Sequence, residues 1–136
     1  MIVVDTNTIA YLYLPSKYAS SVEDLLLADP HWVAPQLWRS ELRNILATQI
    51  RHKVIEFETA CNIQSEAEEV IGNSEYAVGS ISVLALARDS GCTAYDCEFV
   101  YLAQSLKLKL ITEDKKMIRS FADVAMTAKD YLAAMP

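Results

Sequence analysis

The sequence predicts an α/β fold with a mainly parallel sheet, and three features of the chain predict it. Short apolar runs rich in β-branched residues, Ile2-Val3-Val4 foremost and Leu108 to Thr112 after it, read as buried strands. Segments of helical period lie between the apolar runs, and strands alternating with helices build parallel crossover units. An acid follows each of the two clearest strands, Asp5 after the first and Asp114 after the second. A carboxylate inside such a strand would be heavily desolvated. Both therefore belong at carboxyl ends, where open α/β sheets bind ligands.

Each element has its own local reason. Thr6 to Leu14 is helical by spacing, with Ile9, Leu12 and Tyr13 on one side, and Pro15 stops it. Ser20 or Ser21 opens a capping box for a short helix over Val22 to Ala28, closed at Asp29-Pro30. His31 to Ala34 is a brief strand between two prolines that forbid helix continuation. Gln36 to Lys53 is the longest periodic segment, with Leu37, Trp38, Leu42, Ile45, Leu46 and Ile50 apolar. Glu58 to Ile71 follows, and the two form a helical hairpin that Gly72-Asn73-Ser74 ends. Ser80 or Ser82 caps a helix to Asp89, which Ser90-Gly91 stops. Cys92 to Tyr95 is a short strand or lead-in to a helix over Asp96 to Leu106. Lys115 to Phe121 makes one or two helical turns, Val124 to Met126 is a last strand, and Thr127 caps a helix ending near Met135.

The chain has 136 residues, read as one domain spanning 1–136. That length buries about two-thirds of the unfolded surface. Apolar content of 52% with three glycines and four prolines excludes a disordered chain. A net charge of −6 argues against adhesion to nucleic acid through bulk positive charge. A polyanionic substrate would need local basic groups or bound cations. No apolar run is long enough to span a bilayer, and no basic leader precedes an apolar core. Cys61, Cys92 and Cys97 lack metal-ligand spacing and read as small buried hydrophobes in a reducing, cytoplasmic setting.

Four carboxylates carry the functional reading. Asp5 and Asp114 share one sheet edge, although each also suits a helix N-cap. Asp96 precedes a helix and, taken singly, reads more readily as a cap than as a catalyst. Glu41 lies between Trp38 and Ile45 on an apolar stripe, where a carboxylate needs a partner or a cation. An ion pair with an arginine would answer that need, as would a metal. Clustered carboxylates repel and raise one another's pKa unless a cation neutralises them. An oxygen-only set suits Mg²⁺ or Mn²⁺ rather than Zn²⁺, and such ions bridge to phosphate. The cluster therefore points to phosphodiester hydrolysis.

Ile2-Val-Val-Asp5-Thr-Asn7, Trp38-Arg-Ser-Glu41-Leu-Arg-Asn-Ile, Thr93-Ala-Tyr-Asp96-Cys-Glu-Phe-Val and Leu110-Ile-Thr-Glu-Asp114-Lys-Lys together resemble the PIN-domain ribonucleases of the VapC toxin type. The match in order and spacing covers nearly the whole chain. The resemblance implies a three-layer α/β/α sandwich around a parallel sheet of four or five strands. It implies Mg²⁺- or Mn²⁺-dependent cleavage of RNA, with Asp5, Glu41, Asp96 and Asp114 as metal-binding catalytic acids and Asn7 and Thr112 in support. It also implies a homodimer and a cognate antitoxin. Glu113, beside Asp114, receives no role from it.

Lys115, Lys116 and Arg119, with Arg39 and Arg43 flanking Glu41, read as solvated helix faces, or as a rim holding phosphates on either side of the cut. His31 and His52 read as surface or packing residues rather than ligands, and Tyr11 with Tyr13 nearby as core or dimer contacts rather than base-stacking platforms. A haloacid-dehalogenase-type phosphatase needs a second Asp where Asn7 stands. A receiver domain needs an acidic pair after its first strand, which supplies only Asp5. The remaining alternative is a non-catalytic module that binds RNA or a protein, its carboxylates serving as caps.

Overall fold

A computed structural model describes residues 1–136. Every residue of β1 (Ile2–Val4) is buried, as a strand covered on both faces must be. It is the middle of a five-stranded sheet whose other members are β2 (Trp32–Pro35), β3 (Glu75–Tyr76), β4 (Leu110–Ile111) and β5 (Ala125–Met126). All pairs are parallel and the order is β3-β2-β1-β4-β5. The chain builds outward from β1 through β2 to β3, then crosses to the other side of β1 for β4 and β5. The strand order thus reverses between β1 and β4, and ligands bind beyond the carboxyl ends at such a switch point. Val4 pairs with Ile111 there, and the Asp5 amide donates to the Ile111 carbonyl at 3.2 Å.

Helices cover the sheet in the three-layer arrangement. They are α1 (Thr6–Ala10), α2 (Ala19–Ala28), α3 (Leu37–Arg51), α4 (Phe57–Ile71), α5 (Ser80–Ser90), α6 (Ala94–Leu106), α7 (Lys115–Ser120) and α8 (Ala128–Ala134). Trp38, Leu42 and Leu46 recur every four residues along α3 and are buried. α3 packs on α4, whose buried stripe is Ala60, Ile63, Ala67 and Ile71, so apolar period is the main determinant of the hairpin. Arg39 ties that hairpin to the sheet, bonding Glu68 on α4 and Glu75 on β3. No helix is long and apolar enough to cross a membrane.

The differences from expectation are local. α1 ends at Ala10, and the chain turns through Tyr11 to Leu14. α2 starts at Ala19, upstream of both candidate capping serines, and Tyr18 caps it without a side-chain bond. Gly79, not a serine, precedes α5. The stretch from Cys92 forms no strand. Thr93 is the N-cap of α6, its hydroxyl accepting from the Asp96 amide at 3.1 Å, so Asp96 lies in the first turn rather than at the cap. Cys92 and Cys97 are buried, but Cys61 is exposed on α4.

Candidate active site

Asp5 is the floor of the site, and its placement follows from three hydroxyl and amide donors. It leaves β1 in extended conformation and caps α1, accepting from the Thr8 amide at 2.8 Å and the Thr8 hydroxyl at 2.6 Å through one oxygen. Thr112, fully buried at the end of β4, donates its hydroxyl to the other oxygen. The same Thr112 oxygen accepts the Asp114 amide at 3.0 Å. One hydroxyl therefore links the acids that follow the two adjacent strands. Asp114 in turn caps α7, accepting from the amides of Lys116 at 2.8 Å and Met117 at 3.1 Å. Capping and site placement coexist at both aspartates.

Glu41 reaches the same place from α3. Its Oε1 accepts the Thr6 hydroxyl at 2.7 Å. Asp96 arrives on the first turn of α6. A cleft of about 450 Å³ brings Asp5, Asn7, Glu41, Asp96 and Asp114 together, walled by Leu37, Ile45, Phe99 and Met117. All four acids expected from the sequence, and Asn7, thus line one cavity. Thr112 lies behind it.

The electrostatics are those of carboxylates with no ion-pair partner and little counter-charge. Burial pushes the Asp5 carboxyl above its ordinary range despite the Thr112 and Thr8 bonds, and Asp96 pushes it further. Burial raises Glu41 too, the Thr6 bond opposes, and the charges of Asp96, Asp5 and Glu98 add to the rise. Asp96 is raised by burial and then by Asp114, with the Thr93 side chain and then Lys116 as partial offsets. Asp96 is thus the member through which the repulsion is shared. None of the four is in an ion pair; the basic partners go elsewhere, Arg39 to Glu68 and Glu75, Arg88 to Asp89.

These observations bear on whether a divalent cation suits the site. An all-oxygen donor set with unrelieved repulsion is what a hard cation stabilises. Glu41 and Asp114 each keep an oxygen with no hydrogen-bond partner. As the side chains stand, no three of the acids close tightly enough to enclose an ion. The donor chemistry fits a hard cation.

The expected basic rim is only partly present. Arg39 turns away to its acidic partners, and Arg43 lines a separate groove between α3 and α4. Lys116 sits over the loop after α5, its ammonium donating to the Gly91 carbonyl at 2.9 Å. Glu113 gains a place: its carboxylate accepts from the Ala128 amide at 3.4 Å, at the start of α8. Thr6 and Thr8, which hold Glu41 and Asp5, went unread in the sequence. Their signal is the alternation Asp5-Thr6-Asn7-Thr8, where an N-cap acid is followed by hydroxyls one and three residues on. Tyr95, 61% exposed, also lines the cleft and was unread.

Comparison with known proteins bears on the family and the fold. The family model described as PIN domain matches residues 2–125. Ribonuclease VapC3 of Pyrobaculum aerophilum is 29% identical over 133 residues, spanning 88% of this chain and 94% of that protein. A crystal structure of a Pyrobaculum aerophilum protein superposes with a TM-score of 0.78 at 20% identity, over 97% of this chain and 93% of the other. A toxin–antitoxin complex from Klebsiella pneumoniae contains a chain that superposes with a TM-score of 0.66 at 15% identity, over 94% and 98%.

Proposed function

Because the chain belongs to the PIN-domain family, we propose that it is an endoribonuclease that uses Mg²⁺ or Mn²⁺ to hydrolyse RNA phosphodiester bonds, and that it is the toxin of a type II toxin–antitoxin pair. The observation that carries the reading is the convergence of Asp5, Glu41, Asp96 and Asp114 on one cleft beyond β1 and β4, with no basic side chain paired to any of them. The similarity to Ribonuclease VapC3 and to the chain from a toxin–antitoxin complex supports the activity and the antitoxin partner.

Asp5, Asp96 and Asp114 would hold the principal ion, and Glu41 would complete its surroundings directly or through water. The chemistry such an ion would supply there is a water of lowered pKa and an offset to the charge on the scissile phosphate. The chain's own residues do the positioning. Thr8 and Thr112 fix both oxygens of Asp5, and Thr6 fixes one oxygen of Glu41. Asn7, exposed at the cleft, would hydrogen-bond the substrate's phosphate or ribose. In-line hydrolysis leaves a 3′-hydroxyl and a 5′-phosphate. A homodimer in the cytoplasm is part of the same reading.

Purified protein incubated with a mixed RNA pool, with and without Mn²⁺, followed by end-sequencing of the fragments, tests it. Fragments with those ends should appear only with metal; an intact pool rejects the ribonuclease. One observation favours a second reading: Asp5 and Asp114 both serve as helix caps. A non-catalytic RNA- or protein-binding module would use them so, and would leave the pool intact while gaining no thermal stability from Mn²⁺.

A further inference from the structure

Close enough to Asp5 for its charge to act on the Tyr11 phenol, the turn after α1 and the stretch leading into α2 bring two tyrosines and a lysine together. Tyr11 follows Asn7 by one helical turn, its amide donating to the Asn7 carbonyl at 3.0 Å. Residues four apart share a helix face, so Tyr11, which ends α1 in helical conformation, lies one turn along the face that carries Asn7, a residue of the cleft. The rings of Tyr11 and Tyr18 lie 5.1 Å apart between centroids and are tilted by 44°. The ammonium of Lys17 sits 5.2 Å from the Tyr18 centroid. Both rings are half-buried against the core, while Lys17 is exposed.

We propose that Tyr11, Tyr18 and Lys17 form a stacking subsite for an unpaired base of single-stranded RNA whose scissile phosphate lies among the acids; the inference rests on the ribonuclease reading. A chain of net charge −6 draws little affinity from bulk electrostatics. Aromatic stacking supplies affinity without that field and tolerates any base, because every base has a π-face. Rings already seated against a core lose little freedom when a base lands on them. Burial raises the Tyr11 phenol, and Asp5, Tyr18 and Glu113 raise it further, so its hydroxyl stays protonated and able to donate to a base or ribose. Lys17 supplies the local positive charge for the adjacent phosphate.

The test is equilibrium binding, in EDTA, of a short single-stranded RNA carrying a fluorescent purine analogue, and of the same RNA with an abasic site in its place. Tyr11→Leu and Tyr18→Leu should weaken the base-containing probe about tenfold. Tyr11→Phe and Tyr18→Phe should restore most of that binding. Wild-type protein should bind the abasic probe as weakly as the Leu variants bind the intact one. Equal affinity of wild-type protein for the two probes overturns the subsite, as does full-strength binding by both Leu variants. Should a Leu variant melt below the assay temperature, the abasic comparison on wild-type protein decides alone. Cleavage of the same probe on adding Mn²⁺ is read separately. Base-dependent binding without cleavage keeps the subsite and rejects the ribonuclease, and cleavage without base-dependent binding does the reverse.

Discussion

The Thr6 hydroxyl donates to Glu41 Oε1 at 2.7 Å, joining the helix that Asp5 caps to the long helix α3 across 35 residues of sequence. This bond is the main force opposing the rise of the Glu41 carboxyl that burial imposes. Thr6→Val keeps the side chain's shape and removes the donor. Glu41 should then hold its proton to higher pH, and the acidic limb of the cleavage profile should move upward. We expect kcat/KM near neutrality to fall about tenfold, for a loss near 1.4 kcal/mol, while Thr6→Ser keeps wild-type behaviour. A pH–rate profile that does not move in Thr6→Val removes Thr6 from the working site.

Asp5→Asn and Asp114→Asn should abolish Mn²⁺-dependent RNA cleavage while leaving the fold intact. Asparagine caps helices as well as aspartate, so α1 and α7 keep their first turns. What each variant loses is a charge facing the cleft. Circular dichroism and fragment analysis on the same samples check both halves, and undiminished turnover in either variant rejects the residue's assignment.

The raised carboxyls of Asp5, Glu41 and Asp96 fix the sign of a stability effect. In the metal-free protein these groups keep their protons to higher pH than in the unfolded chain, whose values lie near 3.8 for Asp and 4.5 for Glu. Above those values the folded state binds more protons, so these groups' contribution to stability falls as pH rises. Asp5→Asn removes one of them. Its melting temperature relative to wild type should therefore climb between about pH 4 and neutrality. Added Mn²⁺ should then raise the wild type more than the variant, since a ligand of the native state alone stabilises it. A melting difference that is flat with pH and unchanged by Mn²⁺ contradicts the charged cluster.

Asp5 and Asp114 were legible because a charge at the end of an apolar run has one inexpensive place to go. Glu41 was legible from period, as a carboxylate on a stripe otherwise apolar. Asp96 shares the cavity of the other acids by a misread route: Thr93 and Asp96 are both good N-caps, and the choice fell to Thr93 through its bond to the Asp96 amide. Strand β3 had no signal in its own two residues. Glu75 and Tyr76 are strand only because Ala34 and Pro35 offer them a parallel edge. The direction of Arg39 was hidden for a similar reason, its partners lying 29 and 36 residues away. Cys61 is a different failure. The buried stripe of α4 runs Ala60, Ile63, Ala67, Ile71, and position 61 falls off it, so period predicted exposure where residue type suggested burial.

Thr112 is the residue through which the two adjacent strands share one hydroxyl, and replacing it separates structural from catalytic loss. Its hydroxyl donates to Asp5, and the same oxygen accepts from the Asp114 amide, in a fully buried position. Thr112→Val preserves volume but leaves one Asp5 oxygen and one backbone amide short of a partner. Leaving a buried polar group unsatisfied costs about 1–3 kcal/mol, so a drop of several degrees in melting temperature is expected. The carboxylate of Asp5 also loses the bond that most opposes its rise on burial, and cleavage should weaken together with Mn²⁺ affinity. Thr112→Ser keeps the hydroxyl and gives up only a methyl group, so it should lose stability to a small cavity yet retain cleavage. If Val and Ser lose activity equally, packing rather than the shared hydroxyl sets Asp5. If Val loses neither stability nor cleavage, the hydroxyl between Asp5 and Asp114 organises nothing in the site.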